Sequence, residues 1–215
     1  MAKPVLTVDS ISLTLKNEPI LKGVSLMVSA GEVVGITGRN GSGKSMLFKC
    51  IAGLYLPQKG EITANGFAVV KEKRFPPEFG ALIEKPGFLG GLTAYENLSI
   101  LACIQNKIGK KEILEAIRIV GLEHAAHKKV KKFSLGMKQR LGIAQAIMEK
   151  PKLLILDEPT SGLDEAGVAQ VRTLIGQLKS EGTAILIASH ISEDIEALSD
   201  RIYEMELGEL RELVT

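Results

Sequence analysis

Aromatic side chains are scarce in this sequence. It contains no tryptophan, three tyrosines and six phenylalanines in 215 residues, and the first of these rings is Phe48. The first histidine comes later, at His124. The stretch before Phe48 therefore cannot present a ring on which a planar ligand could stack.

Cysteines and long apolar runs are also scarce. Cys50 and Cys103 do not form a CxxC pair and stand in apolar, helical segments, so we predict two buried thiols in a reducing compartment. No stretch approaches the ~20 apolar residues of a membrane-spanning helix. The start, MAKPVLTVDS, lacks the apolar region of a signal peptide. We therefore expect a soluble, cytoplasmic protein, which leaves docking onto a membrane protein open.

Charge is nearly balanced, at a net +2, which is too small to indicate nucleic-acid binding, and no nucleic acid is expected as a partner. One basic run, His127–Lys132, precedes a helical segment. Its simplest interpretation is a solvated linker, with an anion or lipid contact as the alternative. Hydrophobic residues at 45% and charged residues at 24% are typical of a globular protein with a core.

Hydrophobic periodicity divides the chain into three parts. Alternating apolar residues near the N-terminus predict strands at 5–8, 11–15, 24–28, 31–37 and 61–64, with a helix at 44–52. The middle has a period of 3.6 and predicts helices at 93–105, 110–120 and 134–148. Strands at 153–156, 184–188 and 201–205 then alternate with helices at 164–178 and 192–198, a pattern that favours a parallel sheet. We predict an α/β fold over 1–215: a core at about 1–83 and 151–215 with an antiparallel β subdomain near the N-terminus, and an inserted α-helical subdomain at about 84–150.

A glycine-rich segment between a predicted strand and a predicted helix matches the pattern GxxxxGK[ST], which is the P-loop of nucleoside triphosphatases. Its backbone N–H groups and the helix N-terminus bind phosphates, while Lys44 reaches the β- and γ-phosphates and the Ser45 hydroxyl holds Mg²⁺. The predicted substrate is ATP with Mg²⁺. The predicted nucleotide contacts are Gly38, Arg39, Asn40, Gly41, Ser42, Gly43, Lys44, Ser45 and Met46.

Two acidic residues follow the apolar run Leu153–Leu156. The carboxyl end of a buried parallel strand is where ligands bind, so we expect Asp157 to hold Mg²⁺ through water and Glu158 to take a proton from the attacking water. His190 follows another apolar strand and falls at the same sheet edge, which favours a γ-phosphate contact over a structural role. The predicted catalytic residues are Lys44, Glu158 and His190.

A second anion-binding helix start stands at Ser134 and Gly136, about ninety residues after the P-loop. One nucleotide cannot easily satisfy both helix N-termini. Two copies arranged head to tail can, because each P-loop then meets the Ser134 helix of its partner. An ordinary serine N-cap is the alternative.

The set and order of these motifs resemble the ATP-binding cassette (ABC) ATPases over nearly the whole chain. The P-loop, the serine-glycine segment, the Asp-Glu strand end, His190 and the segment Ser161-Gly162-Leu163-Asp164 all carry the resemblance. It implies an ATP-sandwich dimer in which Ser134 and Gly136 bind the partner's nucleotide and the loop ending at Asp164 contacts the partner's site. It also implies a separate membrane permease, peripheral attachment to the inner face of the membrane, and a second ABC subunit that is identical or different.

Three positions depart from the common pattern of the family. Met137 replaces a glutamine of the signature segment and cannot offer its hydrogen bonds. Glu84 aligns with a glutamine that ligates Mg²⁺ or water, and it remains a predicted metal ligand with one more negative charge. Leu15 aligns with an aromatic residue that stacks on adenine, so base recognition is expected to be weak.

The segments SLGMKQR and ALIEKPGF are similar to those of the branch that exports bacitracin, lantibiotics and other drugs or peptides. The resemblance therefore implies an ATPase that powers export. Two alternatives stay open: a soluble ABC ATPase acting on nucleic acid or ribosomes, and a P-loop kinase. The kinase leaves Ser134 and the loop ending at Asp164 unexplained.

Overall fold

The computed structural model describes residues 4–213, which form two β-sheets and the helices between and around them. The strands are β1 (Leu6–Leu15), β2 (Glu18–Val28), β3 (Val33–Thr37), β4 (Lys59–Ala64), β5 (Phe67–Ala68), β6 (Phe79–Leu82), β7 (Leu153–Asp157), β8 (Ala184–Ala188), β9 (Arg201–Glu206) and β10 (Glu209–Leu213). The helices are α1 (Lys44–Ile51), α2 (Val69–Glu72), α3 (Ala94–Gln105), α4 (Lys110–Ile119), α5 (Leu135–Ile147), α6 (Glu165–Ser180) and α7 (Ser192–Leu198).

The larger sheet has six strands in the order β10-β9-β3-β8-β7-β6, all parallel except β10, which runs antiparallel to β9. The smaller sheet is antiparallel, in the order β2-β1-β4-β5. Helices α3, α4 and α5 come between β6 and β7 along the chain. The predicted fold class is therefore confirmed, with a mainly parallel sheet, an antiparallel sheet near the N-terminus and an inserted helical part.

The central strands are buried on both faces, which explains their unbroken apolar runs. In β7, Leu154 and Leu156 pack into the hydrophobic cluster that contains the inserted helices. The alternate residues Leu153 and Ile155 pack into the second cluster, with α1 and the antiparallel sheet. Because the side chains of a strand alternate between its two faces, β7 contributes to both hydrophobic clusters. Asp157, at the end of β7, therefore lies at the edge of the sheet between the two clusters.

Local signals explain several element ends. Thr93 and Glu96 form the predicted capping box at the start of α3: the Thr93 hydroxyl accepts from the Glu96 N–H at 3.1 Å, and the Glu96 carboxylate accepts from the Thr93 N–H at 2.7 Å. Asn65 and Gly66 both have positive φ and make the tight turn between β4 and β5. The backbone at both places follows from residue type alone.

The structure differs from the predicted elements mainly in its strands. β1 is one strand instead of two, because a register shift between Val8 and Ile11 accommodates Ser10 in a left-handed conformation. β2 is longer than predicted, and β5, β6, β10 and the short helix α2 were not predicted. Strands β6 and β10 are short and lie at the edges of the larger sheet, so their formation depends on pairing with β7 and β9 more than on their own apolar pattern.

The prediction of two buried thiols is correct for Cys50 and wrong for Cys103. Cys50 lies inside the core on α1, and burial raises the pKa of its thiol to about 12. Cys103 is exposed, because the face of α3 on which it stands points to solvent. Among residues 4–213, no helix has the length and apolar character required to cross a bilayer.

Candidate active site

The P-loop lies between β3 and α1, as predicted, and its glycines have backbone conformations that other residues rarely adopt. Gly38, Gly41 and Gly43 have φ values of 141°, 80° and 120°. A Cβ atom added to Gly38 would come within 2.3 Å of the carbonyl oxygen of Met205. Gly38 is therefore needed both for its φ angle and for the close approach of the loop to β9.

Lys44 folds back over the loop that precedes it. Its Nζ donates hydrogen bonds to the carbonyl oxygens of Gly38, at 2.5 Å, and Arg39, at 3.1 Å. Burial lowers the pKa of Lys44, and the negative charges of Glu158 and Asp157 oppose this effect. The ammonium group thus lies at the loop, between backbone carbonyls and two carboxylates.

Ser45 and Asp157, 112 residues apart in the chain, are in direct contact. The Ser45 hydroxyl donates to Asp157 Oδ2 at 2.6 Å. Asp157 is buried, which raises the pKa of its carboxyl group, while the bonds from Ser45 and from the backbone N–H of Glu84 act in the opposite direction. The two oxygens predicted to hold Mg²⁺ are therefore adjacent.

This pair of oxygens fits Mg²⁺, which prefers hard oxygen ligands and is commonly held by one or two carboxylates together with substrate phosphates. The described part of the chain contains no cluster of three His, Cys, Asp or Glu side chains able to hold a metal ion. The protein would thus supply part of the coordination shell, through Ser45 and Asp157.

Glu158 and His190 meet at the carboxyl ends of β7 and β8. The Glu158 carboxylate accepts from the His190 backbone N–H at 2.9 Å and contacts ring Nδ1 at 2.7 Å. The ring donates this bond in the tautomer in which Nδ1 carries the proton. Glu158 also has a φ of 51°, a left-handed conformation that is unusual for a residue with a side chain.

A cavity of about 540 Å³ opens beside these groups. Glu158 lines it directly, whereas His190 is not among the lining residues and is half exposed. Ile20 lines the cavity from β2, and Leu15, the residue aligned with the family's stacking aromatic, does not. The complete lining is Ile20, Asn40, Gly41, Ser42, Gly43, Lys44, Ser45, Met46, Glu84, Lys85, Gln139, Asp157, Glu158 and Ser161.

Glu84 lines the first cavity. Its backbone is among the groups that oppose the raised pKa of Asp157. Its own carboxylate is paired with Lys49 of α1, at 2.5 Å between Oε1 and Nζ. Lys49 therefore neutralises the extra charge that Glu84 brings to the edge of the cavity.

Ser134 and Gly136 lie at a second cavity, of about 470 Å³, which shares no lining residue with the first. Ser134 is the N-cap of α5, and its hydroxyl accepts from the Met137 N–H at 3.1 Å. Asp164 is the N-cap of α6 and pairs with Arg140 at 3.3 Å. The P-loop and the Ser134 helix start therefore lie at separate cavities, and the segment from Ser161 to Asp164 runs between these cavities.

The model of the family described as "ABC transporter" matches residues 21–161, about two thirds of the chain. The chain belongs to the ABC transporter family. Its elements and motifs come in the order expected from the resemblance, and it is an ATP-binding, ATP-hydrolysing subunit of that family.

Related ABC proteins cover nearly the whole of this chain. An uncharacterised ABC transporter ATP-binding protein, YdbJ of Bacillus subtilis, is 44% identical over 98% of this chain and 69% of the relative. The bacitracin transport ATP-binding protein BcrA of Enterococcus faecalis is 39% identical over the same shares. The lantibiotic transport ATP-binding protein SrtF of Streptococcus pyogenes is 38% identical over 92% of this chain and 85% of the relative.

Solved ABC structures have the same fold. An ATP-binding subunit of an ABC transporter matches with a TM-score of 0.86 and 29% identity, covering 97% of this chain and 90% of that one. The dimeric, post-hydrolysis state of the ATP-binding cassette MJ0796 bound to ADP and Pi matches with a TM-score of 0.88 and 25% identity, covering 97% of both chains.

Four residues of this ABC site were not singled out from the sequence. Ile20, Lys85 and Gln139 line the first cavity, and Lys49 pairs with Glu84. Gln139 and Lys49 stand on helices that were predicted, α5 and α1, so helical periodicity offered a partial signal. Gln139 bonds to Glu158, 19 residues away, and Lys49 pairs with Glu84, 35 residues away. Hydrophobic periodicity does not predict which of these distant segments come into contact.

Proposed function

We propose that this ABC ATPase energises the export of a drug or antimicrobial peptide, on the inner face of the cell membrane, together with a separate membrane-spanning permease. The observation that carries the proposal is similarity over more than nine tenths of the chain to proteins named for bacitracin and lantibiotic transport. Sequence identity of 38–39% to these proteins supports a drug or antimicrobial peptide as the class of transported molecule, without specifying which molecule is transported.

One ABC domain is proposed to occupy 1–215, with its core at about 1–83 and 151–215 and its helical subdomain at about 84–150. The position of α3, α4 and α5 between β6 and β7 supports these bounds. Residues 1–3 and 214–215 of the proposed core lie outside the described residues.

In the proposed mechanism the P-loop binds the phosphates of ATP. The backbone from Gly38 to Ser45 and residue Met46 surround them, and Lys44 places a positive charge at the β- and γ-phosphates. Asp157 and Ser45 would hold Mg²⁺, with Glu84 as the proposed additional ligand. The ion would neutralise charge on the phosphate oxygens.

Glu158 is the proposed general base, and its carboxylate takes the proton of the attacking water. His190 keeps that carboxylate in place through two contacts, at 2.9 and 2.7 Å. We also assign it the γ-phosphate contact that the family resemblance implies. In the described conformation its ring is directed to Glu158, so the contact requires the nucleotide or a partner subunit to bring phosphate to the ring.

The proposed active form is a head-to-tail dimer with either an identical or a different ABC subunit. Ser134 and Gly136 bind the nucleotide of the partner, and the loop ending at Asp164 reaches the partner's site. The separation of the two cavities within one chain supports this arrangement. The dimeric MJ0796 cassette, which matches this fold closely, supports it as well.

The permease is proposed to dock at the boundary between core and helical part, around 84–97. A groove of about 390 Å³ lies there, lined in part by Phe88 and Leu89. Exposed apolar side chains surround it, namely Leu54, Phe75, Leu89 and Ile100. Apolar surface of this kind is typical of a protein contact.

Affinity purification from detergent-solubilised membranes tests the assembly. We expect the tagged chain to retain a polytopic membrane protein, and Leu89→Asp to lose it while keeping ATPase activity. The control is Leu207→Asp, at another exposed leucine, which lies in the β9–β10 turn. Retention of ribosomes or nucleic acid without any membrane protein would contradict the proposal.

A further inference from the structure

Gln139 is a buried polar residue inside the nucleotide cavity. It stands on α5, five residues after the N-cap Ser134, and the residue is 7% exposed. It lines the same cavity as Lys44 and Glu158. A buried amide must be hydrogen-bonded to be tolerated, so its partner indicates its role.

The partner of Gln139 is the backbone of Glu158. Gln139 Nε2 donates to the Glu158 carbonyl oxygen at 2.8 Å. The same oxygen accepts from the Ser161 N–H at 3.1 Å, and the Glu158 N–H donates to the Ala188 carbonyl at 2.8 Å. Three hydrogen bonds from three different segments thus hold the backbone of this one residue.

The backbone of Glu158 needs such support because its φ of 51° is unfavourable for a residue with a Cβ atom. This conformation directs the carboxylate towards His190 and the cavity. If the peptide relaxed to an ordinary conformation, the carboxylate would leave the position from which it can reach a water molecule.

We propose that Gln139 is a positioning residue for Glu158: its amide holds the left-handed peptide and couples the Ser134 end of α5 to the orientation of the Glu158 carboxylate. A displacement of α5 is then transmitted to Glu158 through one hydrogen bond. The shared carbonyl also ties this movement to the loop that begins at Ser161. The inference rests on the proposed role of Glu158 as general base.

The test is a comparison of Gln139→Met with Gln105→Met. Methionine is close to glutamine in size and lacks the amide donor. Gln105 is the control, because it undergoes the same chemical change at the exposed end of α3. For Gln139→Met we expect turnover at saturating ATP to fall about 10–100-fold, with ATP affinity within about twofold of wild type. Gln105→Met should match wild type in both turnover and ATP affinity.

A double-mutant cycle with Glu158→Gln separates positioning from general packing. If Gln139 acts through Glu158, Gln139→Met should lower turnover little further in the Glu158→Gln background. A purely structural role would lower it by the same factor in both backgrounds. If Gln139→Met does not fold, Gln139→Glu can be used in its place. Glutamate has the shape of glutamine, and a carboxylate oxygen acceptor replaces the amide donor.

The possible failures are distinguishable. Wild-type turnover in Gln139→Met, with Glu158→Gln inactive, overturns the positioning role and leaves the proposed mechanism intact. Normal turnover in Glu158→Gln removes the general base, and the positioning role with it. Equal loss of ATP affinity and turnover in Gln139→Met assigns Gln139 to the binding pocket and also overturns the inference.

Discussion

The side chain of His190 lies 2.7 Å from the carboxylate of Glu158, measured from Nδ1 to Oε2, and the His190 backbone N–H binds the other oxygen of the same carboxylate at 2.9 Å. The two residues come from the ends of adjacent parallel strands, β7 and β8. Only the ring contact can be removed by mutation, since the backbone N–H remains. The pair therefore offers a direct test of how the proposed base is oriented.

Replacement of His190 by alanine should lower turnover by roughly 10²-fold or more and leave ATP binding nearly unchanged. The ring contacts Glu158 and does not line the nucleotide cavity of a single chain, so the γ-phosphate contact proposed for it forms only after ATP has bound. Phosphate release and the affinity of a fluorescent ATP analogue are the two measurements. His127→Ala, in the exposed basic run, is the control, and a similar loss there would argue against a specific role for His190.

The Lys49–Glu84 pair should control how the site responds to Mg²⁺. In Lys49→Met the Glu84 carboxylate at the nucleotide cavity is no longer neutralised, so ATP binding without Mg²⁺ should weaken through repulsion of the phosphates, by about twofold to fivefold for a partly exposed pair. Glu84→Gln in the same chain should restore it. Binding of an ATP analogue in Mg²⁺ and in EDTA measures both effects. If Lys49→Met left the ratio of the ATP affinities in Mg²⁺ and in EDTA unchanged, the pair would not influence the metal site.

Base recognition can be strengthened by adding an aromatic ring. Leu15→Tyr should tighten ATP binding, because a stacked base contributes about 1–3 kcal/mol. Binding of tripolyphosphate, which has no base, should not change. Unchanged ATP affinity in Leu15→Tyr, together with a gain in Ile20→Tyr, would assign the base contact to Ile20, the residue that lines the cavity.

The two cysteines should differ sharply in reactivity. Burial raises the pKa of the Cys50 thiol to about 12, so almost none of it is thiolate at about pH 8.5, whereas Cys103 is exposed. Mass spectrometry after brief alkylation of the folded protein should find the label on Cys103 alone. Both should react in urea. Rapid labelling of Cys50 in the folded protein would show that the core around α1 unfolds locally, contrary to the expectation.

Residue type and spacing were enough for the P-loop, the capping box of α3 and the buried strands β7 and β8. In each case the cause is local. Glycine tolerates the positive φ at Gly38, a serine or threonine side chain caps the N–H groups that follow it, and an unbroken apolar run requires burial on both faces. The single β1 strand and the edge strands β6 and β10 were not predicted, because their extent depends on the strands with which they pair.

By itself, then, the sequence determined the ATPase family and the positions of the P-loop and of the Ser134 N-cap, because those depend on short motifs whose backbone geometry is set within a few residues. Tertiary structure alone decided which side chains meet. Lys49 neutralises Glu84, Gln139 supports the Glu158 peptide, and Ile20 rather than Leu15 lines the cavity. These contacts join segments that are distant in the chain, and packing of the two sheets and the inserted helices is what brings them together.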